Sequence, residues 1–295
     1  MTLRDLGYRP YEGARLPPSI NWWVMLRQGL ARAWGSWMVK LAVLLCIVPS
    51  LFIAAYAGLG RFFTGQIGMS AEELPEDAIF EAITLLRMTF TAQTWAFVSL
   101  VTAGAGATAI AEDFTFKAFQ FYFAKPVTQA QYTVGRVLAV AVFVLLVTLV
   151  PVLFVETVLV FSAPAILVEQ LGLLLPIIVH ALLVSLVMAT LSVAVSSLSP
   201  SRALTLSAWL FLFLVPHVVA AVVHGIASLD DGPGWPWLYL TSFTGLLGIV
   251  ADELFKAQGE EPLLHWYFAV PVLLAYVAGA VGLISYRLRR AEVFG

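Results

Sequence analysis

A few side chains decide which chemistries this sequence could carry. His180 lies near the middle of an apolar run. A polar group at such a depth is costly to keep and often relays a proton or touches a substrate. Its plainer role is a neutral imidazole hydrogen-bonded to a neighbouring helix. His217 and His224 are seven residues apart, nearly on one helix face, a spacing that could suggest haem or metal. Paired haem ligation needs a second histidine at matching depth, and His180 is too deep to pair with His224. Glu156 stands near the far end of another apolar run, where it could face a conduit or reach the polar interface. Ser185, five residues beyond His180, adds a hydroxyl to this candidate translocation path.

Other chemistries are excluded by what the sequence lacks. A P-loop needs glycine before its lysine, so that backbone amides and the ammonium cradle phosphates together. Lys40, Lys117, Lys125 and Lys256 follow Val39, Phe116, Ala124 and Phe255, so the chain cannot bind ATP by that route. No HExxH, CxxC or G-x-S-x-G pattern is present. Cys46 is alone in an apolar run, which leaves no disulfide framework and no cysteine metal site. The expectation is a chain with no catalytic residue, no metal site and no cofactor of its own.

The densest signal is the stretch from Glu112 to Arg136. It begins on two adjacent carboxylates, Glu112 and Asp113, and then sets six aromatics in ten residues: Phe114, Phe116, Phe119, Phe121, Tyr122 and Phe123. Phe116, Phe119 and Phe123 fall at i, i+3 and i+7, so a short helix here would have one aromatic face. Beside a bilayer such a face can lie in the headgroup region. It can equally offer anchors to another protein. Lys125-Pro126 stops the stretch, and Gly135-Arg136 leads into the next apolar run.

This pattern resembles the type-2 ABC exporter permeases. Glu112, Asp113, Lys125, Pro126, Val127, Thr128, Tyr132, Gly135 and Arg136 carry the likeness. It departs from the family at Lys117-Ala118, where the family usually has Gly-Thr. The resemblance implies that residues 112–128 form a coupling segment seated in a cleft of a separate ATP-hydrolysing subunit. Glu112, Asp113, Phe116, Lys117, Phe119, Gln120, Phe123, Lys125 and Pro126 would make that contact. It also implies two copies of the ATPase, which bind ATP and Mg²⁺, and a second copy of the permease.

The elements that must position these residues follow from composition. With 61% hydrophobic and 12% charged residues and a mean hydropathy of +0.92, this is a polytopic all-α membrane protein. Residues 1–19 read as a polar lead-in, with no cleavable signal peptide evident. Over residues 20–37, Trp23, Leu26, Leu30, Trp34 and Trp37 line one side, with Arg27, Gln28 and Arg32 away from it. That pattern predicts an interfacial helix along the inner leaflet. Runs long enough to cross roughly 30 Å of hydrocarbon occupy residues 41–60, 88–111, 137–161, 171–197, 203–223 and 266–286. Gly104 and Gly106, in an AGAGA run, predict close helix contact.

Charge sets the number of crossings. With six spans and both termini inside, cytoplasmic segments hold 13 of the 16 Lys and Arg and 5 of the 18 Asp and Glu. A seventh crossing at residues 238–250 would put Arg287, Arg289 and Arg290 outside, against the positive-inside rule. That stretch is therefore expected to be re-entrant or interfacial, within an outer loop spanning residues 224–264.

These observations predict a single transmembrane permease domain over residues 1–295, multi-pass in an inner or plasma membrane with cytoplasmic termini. Its expected partners are the ATPase, a second permease, membrane lipid and an outer-face accessory protein, with no nucleic acid. Two readings from other classes stand beside it. One is a non-transporting anchor or assembly subunit, which a visible absorption spectrum would distinguish. The other is a proton-coupled secondary transporter using His180 or Glu156, which six spans without a visible repeat argue against.

Overall fold

A computed structural model describes residues 18–66, 78–119, 122, 127–162, 167–228, 235–255 and 264–294. Every regular element among them is helical. Helix α1 (Asn21–Gly35) is followed by α2 (Trp37–Leu45), α3 (Ile47–Gln66) and α4 (Ala78–Ala92). α4 continues through two π-helical stretches, Gln93–Val98 and Thr102–Gly106, to the short α5 (Ala111–Thr115). Then come α6 (Gln129–Ser162), α7 (Leu167–Gly172), α8 (Leu174–Ser196) and α9 (Arg202–Ser228). A 3-10 helix (Pro236–Thr241), α10 (Phe243–Leu254) and α11 (Trp266–Phe294) complete the chain.

Among the described residues, six stretches are long and apolar enough to cross a membrane: Trp37–Leu59, Glu81–Thr115, Gln129–Phe161, Gln170–Ser196, Arg202–Ala227 and Trp266–Arg290. The second begins before the expected Met88, because the stripe of Ile83, Leu86 and Phe90 buries continuously with the run after it. Its best apolar window is 72% buried, against 17% for the fifth span. The second span is thus the core of the bundle, and the fifth faces outward.

Small residues make that core. A Cβ on Gly104 would stand 2.7 Å from Ser36 Oγ, and one on Gly106 would stand 2.6 Å from Ser192 Cβ. Neither fits without displacement of the neighbouring helix, which is the close contact that the AGAGA run predicts. The crossing of α1 over α6 is equally tight. A Cβ on Gly135 would meet Met25 Cβ at 2.5 Å and the Leu26 backbone nitrogen at 3.0 Å.

α1 turns differently from the expected tryptophan stripe. Met25, Leu26, Gly29 and Ala33 face the protein, Trp23 and Trp37 face away from it, and half-exposed Trp34 stacks on Phe143 at 6.0 Å. The indoles are left for the bilayer interface, where such rings settle.

At the opposite end, α10 has 12 residues, about 18 Å of helix and too short to cross. Ser242 caps it by accepting from the Gly245 backbone N–H at 3.0 Å. Phe243 stacks on Trp209 of α9 at 5.6 Å, and Trp209 Nε1–H donates to Thr102 Oγ1 of the second span at 3.0 Å. Arg87 and Asp252 form an ion pair between α4 and α10. The segment after the fifth span is therefore packed into the bundle.

Candidate functional site

The stretch that begins at Glu112 projects from the end of the bundle where Arg32, Arg202 and Arg287 gather. Its root is fixed by three kinds of contact. The first is electrostatic: Asp113, 1% exposed, lies between Arg136 of α6 at 2.6 Å and Arg32 of α1 at 2.9 Å. Tyr132 O–H donates to the same carboxylate at 2.6 Å. Charge-assisted bonds of this length are the strong class, and all three lie on one carboxylate. Tyr122 O–H extends the network, accepting from Gln28 at 3.1 Å and from Arg136 at 3.4 Å.

The second contact is backbone capping. Ser196, buried at the end of α8, accepts from the backbone N–H groups of Ile110 and Ala111 at 2.8 and 2.9 Å. These N–H groups open α5, where the preceding turn offers no helical acceptor. Thr115 Oγ1–H donates to the Pro200 carbonyl at 2.7 Å, in the turn between α8 and α9.

The third contact is aromatic. Phe119 packs edge-on against Phe114 at 4.8 Å and Tyr132 at 5.5 Å. Arg287 of α11 lies 5.6 Å from the Phe114 ring and donates to the Ser197 and Leu198 carbonyls. Movement of the segment therefore acts on α1, α6, α8, α9 and α11 together.

The expected single aromatic face does not form over the described part of the segment. Phe116 is 74% exposed and Phe119 only 4%. Between them Lys117 has φ = +50°, the left-handed region, so α5 ends and the chain changes direction. This is the position where the exporter pattern usually has glycine, the residue that adopts such a φ without steric cost.

Of the residues expected at the partner contact, Phe116 and Lys117 are exposed. Glu112 is half-buried and faces Arg202 at 3.6 Å. Asp113 and Phe119 point inward, and Gln120, Phe123, Lys125 and Pro126 lie outside the described residues. Ser196 carries no mark of this role in the sequence, and Arg32 and Gln28 are marked there only as lying away from the tryptophan side of the first helix. Their partners are 77 or more residues away in the chain, so no local spacing announces them.

The candidate path residues are dispersed. Ser185 Oγ–H donates to the Ala141 carbonyl at 2.8 Å, a tie between α8 and α6. Neither carboxyl oxygen of buried Glu156 has a hydrogen-bond partner among the described residues. His180 Nδ1 also has none; its ring lies edge-on to Phe90 and Phe255 in place of the expected hydrogen bond to a neighbouring helix. His180 lines a cavity of about 260 Å³ together with Arg87, Thr94, His217, Tyr239 and Asp252. His217 and His224 are engaged by Ser242 and by the Trp235 backbone N–H.

The model of the ABC-2 family transporter protein family matches residues 31–292. The chain belongs to that family. No curated protein matches it. The family match spans both the rooted segment and all six spans. This ABC-2 chain is accordingly a multi-pass permease of an ABC transporter, a membrane component that is not itself catalytic.

Proposed function

We propose that this permease belongs to an ATP-driven exporter, and that the segment after Glu112 receives the stroke of a cytoplasmic ATP-hydrolysing subunit. The observation that carries the reading is a division of labour within a few residues. Phe116 and Lys117 are presented outward, while Asp113 and Phe119 anchor the segment to the spans. An exposed aromatic beside a rigid root suits a contact that must transmit force, because aromatic anchors dominate interface energy.

In this reading the arginine-rich end of the bundle is cytoplasmic, in accord with the positive-inside rule. Two ATPase subunits bind ATP and Mg²⁺ beneath two permease copies. Their closure displaces the segment, and the network around Asp113 passes that displacement to α1 and α6. Ser196 and Arg287 pass it to α8 and α11. Phe116, Lys117 and Glu112 meet the ATPase, and the contact expected of Gln120, Phe123, Lys125 and Pro126 belongs to the same proposal. His180 and Glu156 remain path candidates because each is buried with unpartnered polar atoms, a costly arrangement. Ser185 is the weakest of the three, since its hydroxyl is already used between helices.

The test is isolation of the native assembly by a tag on this chain. Recovery of a stoichiometric ATP-hydrolysing subunit is expected; an assembly that never contains one refutes the proposal.

A further inference from the structure

Where α1 gives way to α2, a cavity of about 190 Å³ opens near the root of the segment. Its lining includes Arg32, Arg136, Arg202, Ser36, Thr108 and Glu112. Two of these residues have buried polar atoms with no hydrogen-bond partner among the described residues, Arg136 Nε and Ser36 Oγ. Arg136 is 1% exposed and uses Nη2 for Asp113 and for Tyr122. A guanidinium presents a fork of donors suited to oxyanions, and a serine hydroxyl can add another. A buried donor left unmade costs about 1–3 kcal/mol.

Charge points the same way. Among the described residues, the three arginines Arg32, Arg136 and Arg202 face the two carboxylates of Asp113 and Glu112, an excess of one positive charge. The Arg202–Glu112 contact is loose, at 3.6 Å. Among the described residues no carboxylate other than Glu112 lines the cavity, so a bound anion would supply the missing charge. A cation is repelled here, and an apolar group would leave the donors unpaired.

Depth favours one source for the anion. Trp34 and Trp37 flank Ser36 and are 47% and 65% exposed. Exposed Leu41, Leu44 and Leu45 follow on α2. Indoles followed by outward-facing leucines mark the boundary between headgroups and hydrocarbon. Phospholipid phosphates lie at that level.

We propose that this cavity binds a phosphate group, that of an anionic phospholipid, with Arg136 Nε and Ser36 Oγ as donors and Arg32 and Arg202 as flanking charges. Glu112 also lines the cavity, and its carboxylate limits the site to one negative charge. The ligand would join α1, the second span and α6 at the level where the segment is rooted. The inference goes beyond the exporter reading and does not depend on it.

Gly35 allows a direct test. It lines the cavity, and a Cβ there meets nothing within 4 Å, so Gly35→Leu occupies the space and leaves the ion pairs in place. The full-length chain, purified in detergent and stripped of lipid, is titrated with phosphatidylglycerol while its thermal midpoint is followed. Diacylglycerol with the same tails and inorganic phosphate are the other arms. A saturable rise with phosphatidylglycerol alone is expected. Gly35→Leu should weaken the apparent affinity by about tenfold or more, the loss of about one such contact. An equal response to inorganic phosphate keeps the phosphate site and assigns it to a soluble donor. Equal responses to phosphatidylglycerol and diacylglycerol overturn the proposal, as does an unchanged response in Gly35→Leu. Should that variant unfold, Ser36→Ala replaces it; an unweakened response there overturns the proposal equally.

Discussion

Asp113 and Arg136 form a 2.6 Å ion pair with no more than 2% of either side chain exposed. It joins the first residues of the projecting segment to the beginning of α6. Breaking a buried pair by removing one member leaves the other charge uncompensated, at a cost of about 3–5 kcal/mol. Asp113→Asn should lower stability on that scale in a denaturant or thermal unfolding measurement. Arg32→Gln should cost much less, because Arg32 is about one-third exposed and its pairing is screened. Similar effects from the two substitutions would show that Asp113 is not held chiefly by Arg136.

Ser196 should matter out of proportion to its size. Its hydroxyl accepts from two backbone N–H groups at the start of α5. Ser196→Ala leaves both without that acceptor, for a loss of about 1–3 kcal/mol. Amide hydrogen exchange read at Ile110 and Ala111 should accelerate in the variant. Unchanged protection there would mean that another group caps α5.

Phe116 and Phe119 should separate docking from folding. Phe119 is buried, so Phe119→Ala should destabilise the permease by about 3–5 kcal/mol, as aromatic truncations in cores do. Phe116→Ala should leave the unfolding midpoint where it is and reduce recovery of the ATP-hydrolysing subunit. The opposite assignment, with Phe116 needed for folding and Phe119 for recovery, would contradict the inward and outward placement of the two rings.

Lys117 offers a gain of stability. A non-glycine residue in the left-handed region costs about 1–2 kcal/mol relative to right-handed conformations. Lys117→Gly removes that cost but adds entropy to the unfolded chain. A net stabilisation of up to about 1 kcal/mol is expected, read as a raised unfolding midpoint. A lowered midpoint would indicate that the lysine side chain makes contacts that outweigh its backbone strain.

Hydropathy and charge make the six spans legible, because each needs about twenty apolar residues whatever its neighbours do. The AGAGA run is legible for a similar reason: small side chains permit one kind of contact. The aromatic stripe of the segment is not, since Phe116 and Phe119 share a face only if the helix continues between them. Lysine carries no signal of a positive φ, whereas a glycine at 117 would have announced the turn. The roles of Arg32 and Gln28 are not legible because their partners lie on a segment distant in sequence. The stripe of Ile83, Leu86 and Phe90 that runs into the second span is legible, but Glu81 and Arg87 interrupt the apolar run there, so the span reads as starting at Met88 and not at Glu81.

The segment after Glu112 is proposed to meet an ATP-hydrolysing subunit through its outward residues. A photo-crosslinking amino acid at position 116 tests this most directly, with position 161, exposed near the other end of α6, as the control. An adduct with the ATP-hydrolysing subunit is expected from position 116 and none from position 161. If that subunit co-purifies but crosslinks from position 161, or from neither position, the claim is contradicted.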